Sequence, residues 1–333
     1  MERTYCRWVK TQIPMVIPMI EHKPPRAYPV PNREGLFSTY AWHPGMKENY
    51  ILRMSKSSLG DSTFCAQQYF IKRVLGIKEP QNDAMLRGTN VHDVIEKFYD
   101  NVDIEYAKGL DADKVDMYFQ NCMPDATALS KPQEVFTLDE DLHIDRYREA
   151  EVQRFLTSEP DNFLPTGNEL GVDTVVELEV DGKKQLVHFT GFIDRIFTNP
   201  DGTLHIHELK TGLWKDKPYK YNSMRKEMAF YVWLLRKTDD SARITHWGWD
   251  HTRGLEGETE DSQVFRFAEP VRVKEIGEMI ADMHNLIRMH RKYQGDGKGA
   301  MFPLIHPGRQ YSICDPWCSV KELCPRYTQH LEE

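Results

Sequence analysis

The amino-acid sequence predicts an α/β fold in which a central mixed sheet is flanked by helices. Short apolar segments separated by turn signals are typical of strands, and they occur at residues 173–180, 184–197, 203–210, 243–249 and 263–267. Apolar residues at helical spacing lie on both sides of the first three segments, at residues 57–75, 89–99, 223–237 and 271–293. The chain has 333 residues, 40% of them hydrophobic and 28% charged, which is typical of a globular protein with a substantial core.

Composition divides the chain into four segments. Residues 1–54 include a proline-rich stretch that cannot sustain a helix, so we expect an extended arm. Residues 55–165 are mainly helical in pattern, residues 166–300 contain the strands, and residues 301–333 form a compact tail. Within the acidic stretch of the second segment, the positions predicted to be buried are Leu142, Tyr147, Val152 and Phe155.

Charge and hydropathy exclude two classes of protein. The formal net charge of -8 excludes a globally basic coat for nucleic acid, although local basic patches remain compatible with it. No apolar run approaches the ~20 residues that span a bilayer, which excludes an integral membrane protein. The apolar patch at residues 13–20 contains two prolines and lacks a cleavage site, so we expect no secretory signal and a cytoplasmic location.

The strand at residues 204–210 carries the first chemical signal. Side chains two residues apart share one face of a strand, so Glu208 and Lys210 project together. A hairpin that turns about Asp201 places Asp194 opposite Glu208. Two carboxylates held opposite each other destabilise a sheet unless a cation lies between them, and oxygen ligands suit Mg²⁺ or Mn²⁺.

A Glu-x-Lys triplet alone means little, because one also occurs at residues 21–23 in the proline-rich arm. Several elements in a fixed order carry more weight: Ser57–Leu59, Cys65–Phe70, Gly88–His92, Gly191–Asp194, Glu208–Gly212 and Glu227–Tyr231. From about residue 55 to residue 327 this order resembles the PD-(D/E)XK nuclease superfamily. The resemblance is to its RecB/AddB-like branch, which includes four-cysteine nucleases of CRISPR adaptation and phage exonucleases. It implies a restriction-endonuclease-like fold whose nuclease core is residues 166–300.

The resemblance also implies roles for individual residues. Asp194, Glu208, the backbone carbonyl of Leu209 and the imidazole of His92 would hold Mg²⁺ or Mn²⁺, and Lys210 would act on the attacking water. An isolated histidine at the edge of an apolar stripe is more often a packed residue, and its place in the Gly-x-x-x-His element is what favours a ligand.

A helix after the catalytic strand carries one departure from the family pattern. Relatives place a glutamine four residues before a tyrosine on this helix, whereas this chain has Glu227 before Tyr231. A carboxylate cannot donate the hydrogen bonds of an amide, so the role of position 227 is open. Core packing is the alternative for Tyr231.

A basic and aromatic run lies between the catalytic strand and this helix. We expect it to bind phosphates and stack bases, or else to be an ordinary solvated surface. Its members are Trp214, Lys215, Lys217, Tyr219, Lys220, Arg225 and Lys226.

Three of the six cysteines are closely spaced in the tail, as Cys314-x3-Cys318-x5-Cys324. Together with Cys65 they resemble the ligands of the [4Fe–4S] cluster in RecB-like relatives, although those usually have two residues between the first pair. Four thiolates also bind zinc, which is the main alternative. Cys6 and Cys122 have no partner pattern.

The function that these signals predict is a metal-dependent DNA exonuclease acting on single-stranded ends in recombination, repair or phage DNA processing. The alternative is a non-catalytic or complex-dependent DNA-binding subunit of a helicase–nuclease or CRISPR-adaptation assembly. A phosphate-binding Gly-x-x-x-x-Gly-Lys-Ser/Thr motif is absent from the sequence, so a helicase partner would be a separate chain.

Overall fold

The computed structural model describes residues 52–74, 77, 82–158, 162–215, 217–254, 264–296, 314 and 318–324. Most of the predicted arm therefore lies outside the described residues. The strands are β1 (Leu52–Met54), β2 (Gly167–Val180), β3 (Lys183–Thr198), β4 (Leu204–Lys210), β5 (Ile244–His251) and β6 (Phe265–Pro270). The helices are α1 (Lys56–Phe64), α2 (Ala66–Tyr69), α3 (Asp83–Asn101), α4 (Ile104–Lys108), α5 (Ala112–Cys122), α6 (Leu138–Thr157), α7 (Pro218–Thr238) and α8 (Val273–Asp296).

The six strands form one mixed sheet, which confirms the predicted fold class. Its order is β1-β3-β4-β5-β6, and β2 pairs with the other edge of β3. The β2–β3, β3–β4 and β5–β6 pairs are antiparallel, whereas β1–β3 and β4–β5 are parallel. Among the described residues, no helix is both long enough and apolar enough to cross a membrane.

Strand β3 has a gap along one of its edges. β1 pairs with residues 187–189 of that strand, and β4 pairs with residues 195–198. Residues 190–194 lie between these stretches, and within the described chain no strand pairs with them on that edge. Because the chain passes from β1 directly into α1, the gap is bordered by the start of a helix as well as by two strands.

Helices cover both faces of the sheet. On one face, α1, α2, α7 and α8 enclose the main core with buried strand residues such as Phe189 and Ile206. On the other face, α3, α5 and α6 form a second core that includes Leu209. The described part of the acidic segment, up to residue 158, therefore packs as a helical layer against the sheet, and Tyr147, Val152 and Phe155 are buried as predicted.

Three local predictions were wrong. The helix expected over 57–75 breaks at Cys65, whose extended backbone (φ -157°) ends α1. The helix expected to begin after Gly88 begins at Asp83, because the side chain of Asn82 accepts a hydrogen bond from the backbone N–H of Met85 and caps it. Leu142 was expected to be buried but is exposed.

The predicted arm also ends earlier than expected. Leu52–Met54, which the sequence places in the arm, form β1, and the outer two of its three side chains are buried. This short strand fixes the position of the residue that begins α1.

Candidate active site

The predicted β3–β4 register is observed. Arg195 pairs with His207, so the next position of the hairpin sets Asp194 opposite Glu208, at the end of the gap. The carboxylate of Asp194 accepts a 2.6 Å hydrogen bond from the backbone N–H of Leu209. The Asp194 side chain thus accepts a hydrogen bond from β4 just beyond the last β3–β4 backbone pair. This bond fixes the orientation of the Asp194 carboxylate.

Two further residues approach Asp194 from other elements. Nδ1 of His92, on α3, lies 3.7 Å from Oδ2 of Asp194 and 3.6 Å from Oε1 of Glu169, on β2. Ligand atoms of these three residues all lie within 4.8 Å of one another. Glu169 has a left-handed backbone (φ 46°), an uncommon conformation for a residue other than glycine, at the position that faces Asp194. The structure therefore adds Glu169 to the predicted residues.

Glu208 lies between two ammonium groups. Its Oε1 accepts hydrogen bonds from Lys210, at 3.0 Å, and from Lys56, the first residue of α1. Its other oxygen, Oε2, is buried and has no hydrogen-bond partner within the described part of the chain. Since a buried acceptor without a partner is costly, this oxygen is available to a ligand that the protein itself does not provide.

Glu227 completes the set from α7. Its Oε2 lies 3.0 Å from Nζ of Lys210 and 3.8 Å from Nζ of Lys56. The two lysines and the two glutamates therefore alternate around a ring of ion pairs. We call Lys56, Glu208, Lys210 and Glu227 the charge quartet.

Tyr231 lies one helical turn after Glu227. It is buried, and the ammonium of Lys56 lies 5.1 Å from the centre of its ring, within the range of a cation–π interaction. A Cβ atom added to Gly191 would lie 3.1 Å from its Cε1, so the glycine of the Gly-x-x-Asp element makes room for this ring.

Electrostatics separate the two acidic strand residues. Burial and the charge of Glu208 raise the pKa of Asp194 to about 6. Burial also disfavours the charge on Glu208, but Lys210 and Lys56 outweigh it and lower the pKa of Glu208 to about 2. Burial opposes a charge on His92 too, yet Glu169 and Asp194 raise its pKa. The carboxylates of Asp194 and Glu208 thus carry negative charge that a bound cation would offset.

The ammonium of Lys210 stays charged at neutral pH. Burial lowers its pKa, but Glu208 and Glu227 act more strongly in the other direction and raise it. Lys210 is therefore a hydrogen-bond donor and a positive charge, and it is not a base.

The residues present fit a divalent cation. His92, Glu169 and Asp194 offer one nitrogen and carboxylate oxygens at close range, and Glu208 adds a buried oxygen that lacks a partner. An oxygen-rich donor set of this kind suits Mg²⁺ or Mn²⁺.

The predicted basic and aromatic run is only partly a surface. The prediction that Trp214 stacks bases was wrong, because this ring is 1% exposed and stacks on Phe265 and Phe267 in the core. Arg225, which was also predicted to bind phosphates, pairs with Glu269 through two nitrogens of its guanidinium, one of them at 2.6 Å.

The lysines of this run differ from one another. Lys226 lies 2.8 Å from Asp282 on α8. Lys217 is exposed, and Lys215 and Lys220 are half-buried. Tyr219 is in the first turn of α7.

The cysteines of the tail lie near Cys65. Cys65 stands between α1 and α2, and Cys318 and Cys324 pack against the main core. Burial raises the pKa of Cys318 to about 11, and the thiols of Cys65, Cys314 and Cys324 contribute in the same direction. Cys122 is buried in the other core, between the helices.

Comparison with known proteins places the chain in a family. Residues 53–325 match the family model of the PD-(D/E)XK nuclease superfamily. No curated protein matches the chain. Its structure is similar to 22 chains of solved structures. One, SSO0001, is 14% identical, with a TM-score of 0.37 over 84% of this chain and 87% of that one.

Another similar structure is that of a "Putative exonuclease" from Eubacterium rectale. It is 11% identical, with a TM-score of 0.41 over 80% of this chain and 85% of the other. The match to the family model spans well over half of the sequence, so this chain belongs to the PD-(D/E)XK nuclease superfamily.

Proposed function

We propose that this nuclease is a metal-dependent DNA exonuclease that acts on single-stranded ends. The observation that carries the proposal is the convergence of His92, Asp194 and Glu208 at the gap in the sheet, with Lys210 beside them. Three chain segments distant in sequence supply these groups, and a structural role alone does not require carboxylates so close together.

In this proposal the cation is Mg²⁺ or Mn²⁺. His92, Asp194, Glu208 and the backbone carbonyl of Leu209 would hold it, and Glu169 would add a further oxygen. When bound, such an ion makes water more acidic and stabilises negative charge on a phosphate. The hydrogen bond from Leu209 N–H keeps Asp194 aimed at the site before the ion arrives.

Lys210 would orient the attacking water and offset charge on the reacting phosphate. Its ammonium is fixed by Glu208 and Glu227, so its donors are already directed when the substrate binds. Lys56 offsets the negative charge of Glu227, which accounts for a carboxylate at this position, where relatives have a glutamine. Tyr231 would support this arrangement through its ring contact with Lys56.

The proposed substrate path uses the helical layer. Residues 55–165 would cover the nuclease core, residues 166–300, so that DNA reaches the metal site only from a free end. Lys215, Lys217, Lys220 and Tyr219 would contact the strand that enters, whereas Trp214 is buried and Arg225 is paired with Glu269. A requirement for ends fits roles in recombination, repair or phage DNA processing, and a helicase would be a separate partner in the cytoplasm.

We also propose that the chain is of the RecB/AddB-like branch and carries a [4Fe–4S] cluster. Cys65, Cys314, Cys318 and Cys324 would ligate it, and the interactions of Cys318 with the other three support this grouping. Such a cluster would join the tail, residues 301–333, to the turn between α1 and α2, so that its binding free energy stabilises the fold. Zinc is the alternative occupant.

The decisive experiment compares end-labelled linear DNA with closed circular DNA, each single- and double-stranded, in Mg²⁺ or Mn²⁺. The proposal predicts digestion of linear single strands and little attack on circles. Equal rates on linear and circular single strands would make the enzyme an endonuclease with the same metal chemistry. If the purified chain binds DNA but cuts none of the four substrates, the alternative is correct: a non-catalytic or complex-dependent subunit.

A further inference from the structure

Phe192 is an exposed aromatic residue in the middle of a buried strand. Its side chain is 65% exposed, whereas its neighbours Ile193 and Asp194 are 1% and 8% exposed. The structure describes all residues from 185 to 199, and within this range all residues except Phe192 are buried or half-buried. Single exposed apolar side chains are common on proteins, so exposure alone carries no conclusion. The position of Phe192 in the fold, and not its exposure, is what indicates a role.

The residue paired with Phe192 makes room for its ring. Gly171 is its partner on β2, and a Cβ atom added there would lie 3.3 Å from Cε1 of Phe192. A larger residue at 171 would press on the ring. The glycine thus lets the ring lie close to the strand backbone, while most of the surface of Phe192 stays open to solvent.

The ring lies on the side of the sheet that carries His92. The preceding residue, Gly191, faces Tyr231 of α7, so Phe192 faces the opposite side, since successive side chains alternate. That side is covered further along by α3, where Asn168 donates a hydrogen bond to the backbone carbonyl of Glu96. The helix covers the sheet at Asn168 and leaves Phe192 open.

The distance to the proposed metal site is short. The Gly171–Phe192 pair is two residues along the ladder from the position where Glu169 faces Asp194. Two residues of a strand span about 6.6 Å. Phe192 also falls within residues 190–194, where β3 has no strand partner on the edge facing β1 and β4 among the described residues. A nucleotide bound with its phosphate at the metal site would have a base within reach of the ring.

We propose that Phe192 is a stacking platform for an unpaired base next to the scissile phosphate. This inference rests on the proposed function and specifies how its substrate is held. An aromatic ring can stack on any base because every base has a π-face, but a base within a duplex is covered by its neighbours. The platform therefore selects single-stranded DNA without selecting its sequence.

The test measures DNA binding in Ca²⁺, with Mg²⁺ and Mn²⁺ left out, by fluorescence anisotropy of a labelled single-stranded oligonucleotide and the full chain. We expect Phe192→Ala to weaken binding about 5- to 100-fold and Phe192→Trp to preserve it. Phe192→Leu, which keeps an apolar side chain but has no flat ring, should resemble Phe192→Ala. Val273→Ala, which truncates an exposed apolar side chain on α8, is the control and should bind like the wild type.

A second substrate separates stacking from general contact. On an oligonucleotide with the same backbone but no bases, the wild type and Phe192→Ala should bind equally, because the ring has nothing to stack on. The salt dependence of binding should also be the same in both proteins, since the substitution removes no positive charge. Melting curves of the wild type and Phe192→Ala check that the substitution, at an exposed position, leaves the fold intact.

The outcomes distinguish this inference from the proposed function. If the wild type digests DNA but Phe192→Ala binds single strands within twofold of it, the platform is wrong and the nuclease proposal stands. An equal loss on base-containing and abasic strands would likewise overturn the platform, as would a wild type that binds no single strands. If the wild type binds bases through Phe192 but never cuts, the platform stands and the exonuclease proposal fails.

Discussion

Glu227 on α7 and Lys210 at the end of β4 are joined by an ion pair of 3.0 Å. Lys210 also pairs with Glu208, and Lys56 contacts both glutamates, so each charge in the quartet has two neighbours of opposite sign. The arrangement is electrically balanced, which lets four charged groups share a half-buried space. The quartet holds the ammonium group of Lys210 in a fixed position.

The first prediction concerns that ammonium group. Lys210→Ala removes the donor proposed to act on the water, and we expect DNA cleavage to fall about 100- to 1,000-fold. Glu227→Gln should cost much less, because an amide oxygen still accepts a hydrogen bond from Lys210, whereas Glu227→Ala leaves the ammonium less restrained. Initial rates at saturating DNA measure these effects. Glu278→Gln is the control, because this glutamate on α8 pairs only loosely with Lys226 and Lys274, at 3.9 and 3.7 Å. Full activity of a folded Lys210→Ala protein would rule out the assigned role.

The second prediction concerns Glu169 as a metal ligand. Glu169→Gln should weaken Mn²⁺ binding about 10- to 100-fold, and Asp194→Asn or Glu208→Gln should in addition abolish cleavage. Isothermal titration of Mn²⁺ into the protein without DNA reports the affinity directly. Glu177→Gln changes an exposed glutamate on the same strand and should leave binding unchanged. If Glu169→Gln binds Mn²⁺ as tightly as Glu177→Gln, Glu169 is not a ligand.

The third prediction is a pH dependence of metal binding. Asp194 has its pKa raised to about 6, and the pKa of His92 is raised as well, so both hold protons below that pH that a cation must displace. Mn²⁺ affinity should therefore rise as the pH increases from about 5 to about 7.5, with release of protons. Titrations in two buffers of different ionisation enthalpy count those protons. Asp194→Asn should release fewer, and an affinity independent of pH would contradict the site.

The sequence predicts part of this site because part of it is local. The turn at Asp201 fixes the β3–β4 register, and counting from that turn places Asp194 opposite Glu208. The same count from the preceding turn, at residues 181–182, places position 169 opposite Asp194. Glu169 was thus within reach of sequence reasoning and was missed because the first strand was expected to begin only at residue 173.

Other members of the site could not be found in this way. Lys56 reaches Glu208 only because β1 pairs with β3, across more than a hundred residues of chain, and no local pattern encodes that pairing. Trp214 is the reverse case, a residue predicted to contact DNA that lies in the core. The lysines around it in the sequence suggest a surface, but packing against Phe265 and Phe267 buries it. Long-range packing decided both cases.

The fourth prediction concerns the four cysteines. Protein purified without oxygen should be brown and contain about four irons per chain. Cys65→Ala and Cys318→Ala should each remove the iron and lower solubility, since the tail would lose its attachment. Cys122→Ala, in the core between the helices, should keep the iron even if it lowers stability. Zinc in equal amount to protein and no iron, in anaerobic preparations, would show that the alternative occupant is correct.

The fifth prediction tests how the helical layer is attached to the sheet. Glu151 on α6 is 0% exposed and pairs with Arg154, at 2.6 Å, and with Arg266 on β6. Arg266 also lies 3.4 Å from Asp250 on β5. Glu151→Gln removes the buried carboxylate that the two arginines share and leaves Arg266 with Asp250 alone, and we expect the free energy of unfolding to fall by about 3–5 kcal/mol. Glu149→Gln, an exposed change two residues earlier, is the control and should cost little.

The same glutamate should give the stability of the protein an acid dependence. Burial disfavours its charge, but Arg154 and Arg266 outweigh this and lower the pKa of Glu151 from 4.5 to about 2. A group with a lowered pKa stabilises the fold fully above its unfolded pKa and loses that contribution as the pH falls toward its folded value. Urea unfolding at several pH values should therefore show a loss between about pH 4.5 and pH 2 that is smaller in Glu151→Gln. If the substitution costs under 1 kcal/mol and leaves the pH profile unchanged, the layer that carries His92 is attached to the sheet mainly by its apolar contacts.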